Sequence, residues 1–210
     1  MRTAKKNILF LSLFCLLLVT IRVFKTEQLS FIFMFWNLFL AFIPFAISNY
    51  ILKLKQEIGH FKLITFMGIW LLFLPNAPYM ITDLFHLHHR VVLPIWFDLI
   101  LILMFAITGL YLFFISINQT IAVVKSQFPK LHNPIFLILL FMVVSYGVYI
   151  GRFLRLNSWD IINPVGLIKT CMNAILNLPT LKDMCCFTLV FSIFLGFIFI
   201  ITKPVLKSTK

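Results

Sequence analysis

The chain has 210 residues, of which 62% are hydrophobic, 17% aromatic and only 11% charged, and 26 are Phe. Soluble globular chains run near 45–50% apolar and about 25% charged, so the composition excludes the soluble, disordered, collagen-like and disulfide-scaffold classes. The net charge of +12 would suggest nucleic acid in a soluble domain. Here the Lys and Arg residues cluster at the ends of apolar runs, where they set membrane topology and attract anionic head groups, so no nucleic-acid partner is expected.

A membrane-crossing helix needs about 20 predominantly apolar residues. Asn7–Phe24 is the first candidate, preceded by Arg2, Lys5 and Lys6. It starts like a signal peptide, but Thr20-Ile21-Arg22-Val23 offers no small-residue cleavage site, so an uncleaved anchor is expected. Leu29–Leu52 is the second span. The third opens over Phe61–Leu74 and runs on to about Met80. Val91–Ile117, Ile135–Leu154 and Met184–Thr202 are the fourth to sixth. All are too long and too evenly apolar for barrel strands, which alternate. The expected fold is all-α: residues 1–210 as one integral membrane domain, a polytopic transmembrane helix bundle of about six spans with one or two short interfacial helices.

Orientation follows from counting Lys and Arg by side. Eleven lie in the amino terminus, the 53–62 and 119–132 loops and the carboxyl tail; seven lie in the 22–28, 75–90 and 152–183 segments. The excess marks the cytoplasmic side, so a multi-pass protein of the cell membrane with both termini in the cytoplasm is expected, with the lipid bilayer as its first partner.

Two segments on the opposite, outer side are rich in polar residues. The third span leads into Leu74-Pro75-Asn76-Ala77-Pro78-Tyr79, then Thr82-Asp83 and His86-Leu87-His88-His89-Arg90. From Phe61 to Leu74 a helix reaches about 21 Å, short of a hydrocarbon core near 30 Å unless it starts near Glu57. Pro75 and Pro78 each remove a backbone donor. A break at membrane depth must be buried in protein or line a cavity, and such breaks border binding sites in transporters; a proline kink repaired by neighbours is the alternative. Asn76 is placed to cap the helix that resumes, with Pro78 in its first turn. Asp83, His86 and Arg90, at i, i+3 and i+7, would share a helical face, with Thr82, His86 and His89 as a neighbouring stripe. Asp98 joins this end, about 7–8 Å below an entry of the fourth span at Leu93. The Asp-x-x-His spacing lacks the paired histidines of a zinc helix, and no metal is expected.

The second segment is Gly151-Arg152-Phe153-Leu154-Arg155-Leu156-Asn157-Ser158-Trp159-Asp160. Arg152 and Arg155, one turn apart, suit a phosphate or carboxylate, because each guanidinium is a planar fork of donors. They could equally pair with Asp83, Asp98 or Asp160 to hold the bundle together. Asn157 or Ser158 can cap the next short helix, with Asp160 in its first turn. Asn163-Pro164 then starts a helix too short to span, with Val165, Ile168, Cys171, Met172 and Ile175 at helical spacing and Pro179 closing it. It is expected at the membrane interface, as a lid in one reading. Gly147 and Gly151 form a small-xxx-small pair that permits close helix approach. Trp70, Trp96 and Trp159 fit an aromatic belt at the outer boundary. A disulfide among Cys171, Cys185 and Cys186 is chemically open.

Pro75-Asn76-Ala77-Pro78-Tyr79 with Thr82-Asp83-Leu84, Trp96-Phe97-Asp98, and Gly151 to Arg155 followed by Asn157-Ser158-Trp159-Asp160 resemble a known family. It is the domain-of-unknown-function 1361 family of predicted bacterial membrane proteins. The resemblance spans about residues 60–200 and implies a bacterial integral membrane protein; it brings no activity and no cofactor.

Three functions are compatible with this pattern. One is an enzyme acting on a lipid-linked or anionic small-molecule substrate, with Asp83, Asp98 or Asp160 as acid/base candidates, Arg152 and Arg155 holding the anion, and Asn76, His86 and Asn157 orienting it. The second is a transporter or ion/proton relay at the interrupted third span, with Asp98 as a proton or cation relay. The third is a non-catalytic subunit whose polar cluster is structural.

Overall fold

The computed structural model describes residues 2–54, 58–88, 93–128 and 134–208, apart from the side chains of Arg2, His88 and residues 203–208. Glu57, His89, Arg90 and the expected start of the fourth span at Val91 lie outside the described residues. Every regular element among those described is helical. Six stretches are long and apolar enough to cross a membrane: Thr3–Thr26, Phe33–Lys53, His60–Leu87, Ile95–Gln127, Pro134–Phe153 and Leu178–Thr202. They match the six expected spans in number and order.

In chain order the helices are α1 (Arg2–Thr26), α2 (Phe33–Lys53), α3 (His60–Phe73), α4 (Asn76–Tyr79), a 3-10 helix (Met80–His88), α5 (Ile95–Gln127), α6 (Pro134–Phe153), a 3-10 turn (Ser158–Ile162), α7 (Pro164–Leu176) and α8 (Leu178–Ser208). By internal contacts the chain divides into two units, residues 1–123 with 203–210, and residues 124–202.

In the first unit α2 begins at Phe33, four residues later than expected, because a turn intervenes. Glu27 (φ 54°) and Phe31 (φ 68°) adopt left-handed backbone there, and the Glu27 N–H closes the end of α1 on the Val23 carbonyl at 2.8 Å. The third span is not interrupted by extended chain. Leu74 (φ −57°, ψ −38°) and Pro75 (φ −61°, ψ −24°) both remain right-handed helical. Since Pro78 has no N–H for Leu74, that carbonyl instead accepts from Ala77 at 3.3 Å, an i→i+3 bond. The helix tightens and continues as 3-10 from Met80 to His88. Three residues per turn keep Asp83 and His86 on one edge but move Thr82 off the stripe it would share with His86 in an α-helix.

Hydroxyl and amide groups link α2, α3 and α5 inside this unit. Trp70 Nε1 donates to Ser116 Oγ at 2.8 Å. Ser116 Oγ lies 3.0 Å from the Pro44 carbonyl and 3.0 Å from Ser48 Oγ, and Ser48 Oγ lies 2.7 Å from Gln119 Oε1. Trp70 is therefore 2% exposed and no part of an aromatic belt, a correction to the sequence-based expectation; Trp96 and Trp159 are exposed. Where lipid offers no hydrophobic drive between helices, such bonds and close packing do the associating. A close approach is made at Gly109 of α5, where a Cβ would meet the Ala77 carbonyl oxygen at 2.6 Å and Met80 Sδ at 3.0 Å.

In the second unit α6 buries Phe141, Val144, Ser145 and Val148 along one face, the i, i+3, i+4, i+7 pattern of a packed helix. Phe141 meets Phe199 of α8 at 5.6 Å and Tyr149 meets Phe187 at 5.6 Å. Asn163 caps α7 through the Gly166 N–H at 3.2 Å, with Pro164 in its first turn. Val165, Ile168, Met172 and Ile175 are all exposed, the surface expected of an interfacial helix. Pro179 does not close α7. It lies in the first turn of α8, which Asn177 caps by accepting from the Thr180 N–H at 3.2 Å. All four cysteines are free thiols.

Replacing Gly109 by Ala should lower the melting temperature of the detergent-purified protein, by about 1–3 kcal/mol of overpacking. Gly68→Ala on α3, whose Cβ would meet nothing within 4 Å, should be neutral or slightly stabilising through helix propensity. Equal melting temperatures for the two variants would contradict this packing.

Candidate functional site

One end of the first unit collects its buried charges. Arg22 lies within α1, one turn before its end, and is 0% exposed. Its Nε donates to Asp98 Oδ1 at 2.7 Å and its Nη2 to Asp98 Oδ2 at 3.1 Å, a bidentate fork on a carboxylate that is itself 3% exposed. Phe31 lies over the guanidinium, with its ring centroid 4.4 Å from Cζ, adding a cation–π contact. Among the described residues Arg22 Nη1 is buried without a hydrogen-bond partner. Asp98 sits in the first turn of α5, closer to the helix end than an entry at Leu93 would put it, because Leu93 and Pro94 are not helical.

Asp83 is 1% exposed, and the Asn37 side-chain amide of α2 donates to its Oδ2 at 3.0 Å. His86, one 3-10 turn on, stacks on Phe33 with ring centroids 5.3 Å apart. Thr82 Oγ1 donates to the Tyr79 carbonyl at 2.6 Å. A groove of about 910 Å³ is lined by residues 28–33 and His86. The 3-10 helix thus meets the start of α2 through Asp83–Asn37 and His86–Phe33, and the start of α5 meets the end of α1 through Asp98–Arg22. Asn76 is half-buried nearby in sequence, but it is no N-cap: its Nδ2 donates backward to the Phe73 carbonyl at 2.9 Å.

The remaining candidates belong to the second unit. Arg152 is in the last turn of α6, where a cation suits the helix dipole. Arg155 lies beyond the helix in left-handed backbone, φ 57°, so the two arginines do not sit one helical turn apart on a shared face. The Leu156 N–H returns to the Ile150 carbonyl at 3.3 Å to close this end. Asp160 Oδ2 accepts from the Asn157 N–H at 2.6 Å, the arrangement expected of an asparagine and an acid opening a short helix.

Sequence reasoning missed Arg22 and Asn37. Arg22 falls inside the first apolar run yet was counted with the 22–28 loop; an ionisable residue within a span seeks a partner by default, and that was the available signal. Asn37 carried no spacing that would single it out. Among the described residues no three His, Cys, Asp or Glu side chains form a metal-sized group.

Six apolar helices of membrane-crossing length, with buried charge gathered at a helix-rich end, fit a multi-pass membrane protein. The family model described as "Protein of unknown function (DUF1361)" matches residues 36–200, and the chain belongs to that family. Asp83 and Asp98 fall inside the matched region and Arg22 before it. Neither a curated protein nor a solved structure matches the chain.

Removing one member of a buried pair leaves an uncompensated charge, at a cost of about 3–5 kcal/mol, whereas an apolar replacement of both is often neutral or stabilising. Asp98→Asn should therefore reduce accumulation and lower the melting temperature, and the double variant Arg22→Met with Asp98→Leu should recover both. A single variant as stable as wild type, read by fluorescence-detected size exclusion after heating, would show that the pair is not holding α1 to α5.

Proposed function

We propose that the chain is an integral protein of the bacterial cell membrane, with both termini in the cytoplasm, and that it acts as an enzyme on an anionic, lipid-linked substrate at the outer face. The observation that supports this best is Asp83, a carboxylate 1% exposed, hydrogen-bonded by Asn37 and followed one turn later by a histidine on an amphiphilic groove. Buried ionisable groups within membrane helices mark functional sites by default. With Asp98 committed to Arg22, Asp83 is the acid/base residue in this reading and Asp98 a positioning residue. His86 and Asn76 orient substrate. Within the second unit, taken by itself, Arg152, Arg155 and Asn157 are anion-binding candidates, and Asp160 shapes the turn that carries Asn157.

One observation supports a non-catalytic role, the closed Arg22–Asp98 fork between α1 and α5, a geometry suited to holding helices together. The transporter reading loses its main support, because the third span stays helical through Pro75.

The deciding experiment compares lipid extracts, by mass spectrometry, from cells lacking the protein and from cells complemented with wild type or with Asp83→Asn. Wild type should change the pool of lipid-linked species, and Asp83→Asn should accumulate normally while leaving the pool as in the deletion, since loss of an acid/base group costs about 100-fold or more in turnover. Full complementation by Asp83→Asn, or extracts that do not differ with and without the protein, would overturn the proposal.

A further inference from the structure

The guanidinium of Arg22 offers two donor edges in its plane and two faces. Asp98 occupies the Nε/Nη2 edge, at 2.7 and 3.1 Å. Phe31 occupies one face, at 4.4 Å. The remaining edge, carrying Nη1, is buried and without a partner among the described residues. A guanidinium edge in a dry setting suits a phosphate, whose oxygens accept two parallel N–H bonds.

Phe31 stands between Arg22 and the groove of residues 28–33 and His86: it lines that groove and lies over the guanidinium face. The other walls are amphiphilic. Leu29 is 66%, Ile32 49% and Phe33 39% exposed, while Gln28, Ser30 and His86 are polar. On a chain with six membrane-length helices, an apolar wall beside a cationic donor matches a lipid-borne anion better than a free one. Phe31 also holds left-handed backbone, φ 68°, uncommon for a bulky residue and typical of clamps and switch positions.

We propose that this groove seats the phosphate head group of a lipid, with the phosphate oxygens on the Nη1 edge of Arg22 and the hydrocarbon chain along Leu29, Ile32 and Phe33. Phe31 is the gate: Arg22 is 0% exposed, so the head group reaches it when the ring swings aside. The inference rests on the reading that this end handles a lipid-linked anion, and it names the phosphate seat within it.

The test uses the full chain in phosphatidylcholine nanodiscs with hexadecyl phosphate as probe, against hexadecanol and inorganic phosphate, read by melting temperature. Hexadecyl phosphate should stabilise wild type and the other two should not. Arg22→Lys keeps a charge for Asp98 but loses the forked edge, and should weaken the effect at least about tenfold in half-saturating concentration, about 1.4 kcal/mol. Phe31→Ala should speed association. Equal stabilisation by inorganic phosphate would overturn the lipid source, equal stabilisation by hexadecanol would overturn head-group recognition, and undiminished binding by Arg22→Lys would overturn the seat. Should Arg22→Lys not fold, a diazirine-bearing alkyl phosphate decides the matter in wild type: cross-linking within residues 28–33 supports the seat, and cross-linking elsewhere or none overturns it. Asp83→Asn should bind the probe as wild type does. Binding with a fully functional Asp83→Asn would sink the catalytic reading alone, whereas absent binding with an inactive Asp83→Asn would sink the phosphate seat alone.

Discussion

A single arginine inside the first apolar helix constrains the rest of this protein. A guanidinium at that depth is tolerated only with a partner, and a carboxylate in the first turn of another helix needs one as much. Arg22 and Asp98, 76 positions apart, resolve both needs in one bidentate fork. The fork ties α1 to α5, and Phe31 caps it from the turn between α1 and α2. The end of α1, the turn that follows it and the remote start of α5 are thereby held together within the first unit, and the groove is lined by that same turn. A buried pair adds little net stability over apolar packing, but it penalises any arrangement that separates its members. Its contribution here is to register.

The remainder of this unit is held by the means open to helices in lipid. Bonds among Trp70, Ser116, Ser48 and Gln119 link three helices, and Gly109 lets α5 approach the Ala77 backbone as closely as its missing Cβ allows. The two prolines of the third span act on the same region. By removing donors they turn an α-helix into a 3-10 helix without breaking it, and the tighter winding aligns Asp83 with His86. The amphiphilic end of the unit is thus a product of lost backbone bonds on one strand of the chain and a gained ion pair on another.

Much of this was legible in the sequence. Long apolar runs give six helices because no other structure satisfies the backbone in lipid, and all six spans appear, with end shifts of up to ten residues where the fourth runs on to Gln127. Topology alone singled out Asp83, His86 and Asp98, and the structure gives Asp83 and Asp98 buried positions. What the sequence hid was pairing. Nothing in the spacing of Arg22 points to Asp98, because the match is made in three dimensions between helices remote along the chain, and Asn37 reached Asp83 in the same way. Trp70 looked like an interfacial anchor by its place near a span end, and burial against Ser116 overrode that. The two arginines after α6 were read as a helical pair because the helix was assumed to continue; it ends at Phe153, and Arg155 adopts a backbone that residue type does not announce. The Asn157 cap with Asp160 in the first turn, and the helix start at Asn163-Pro164, depend on contacts within three or four residues and match the sequence reading, whereas the cap expected at Asn76 does not form.

The proposed orientation has the end built around Arg22–Asp98 facing outward from the cell. Single cysteines introduced as Gln28→Cys and Phe85→Cys in a cysteine-free background, with Lys6→Cys as the opposite end, report on it directly through an impermeant thiol reagent. All three positions are exposed. The account predicts that residues 28 and 85 label on intact cells and that residue 6 labels only after permeabilisation. Labelling of residue 6 on intact cells with protection of 28 and 85, or labelling of just one of 28 and 85, would contradict it.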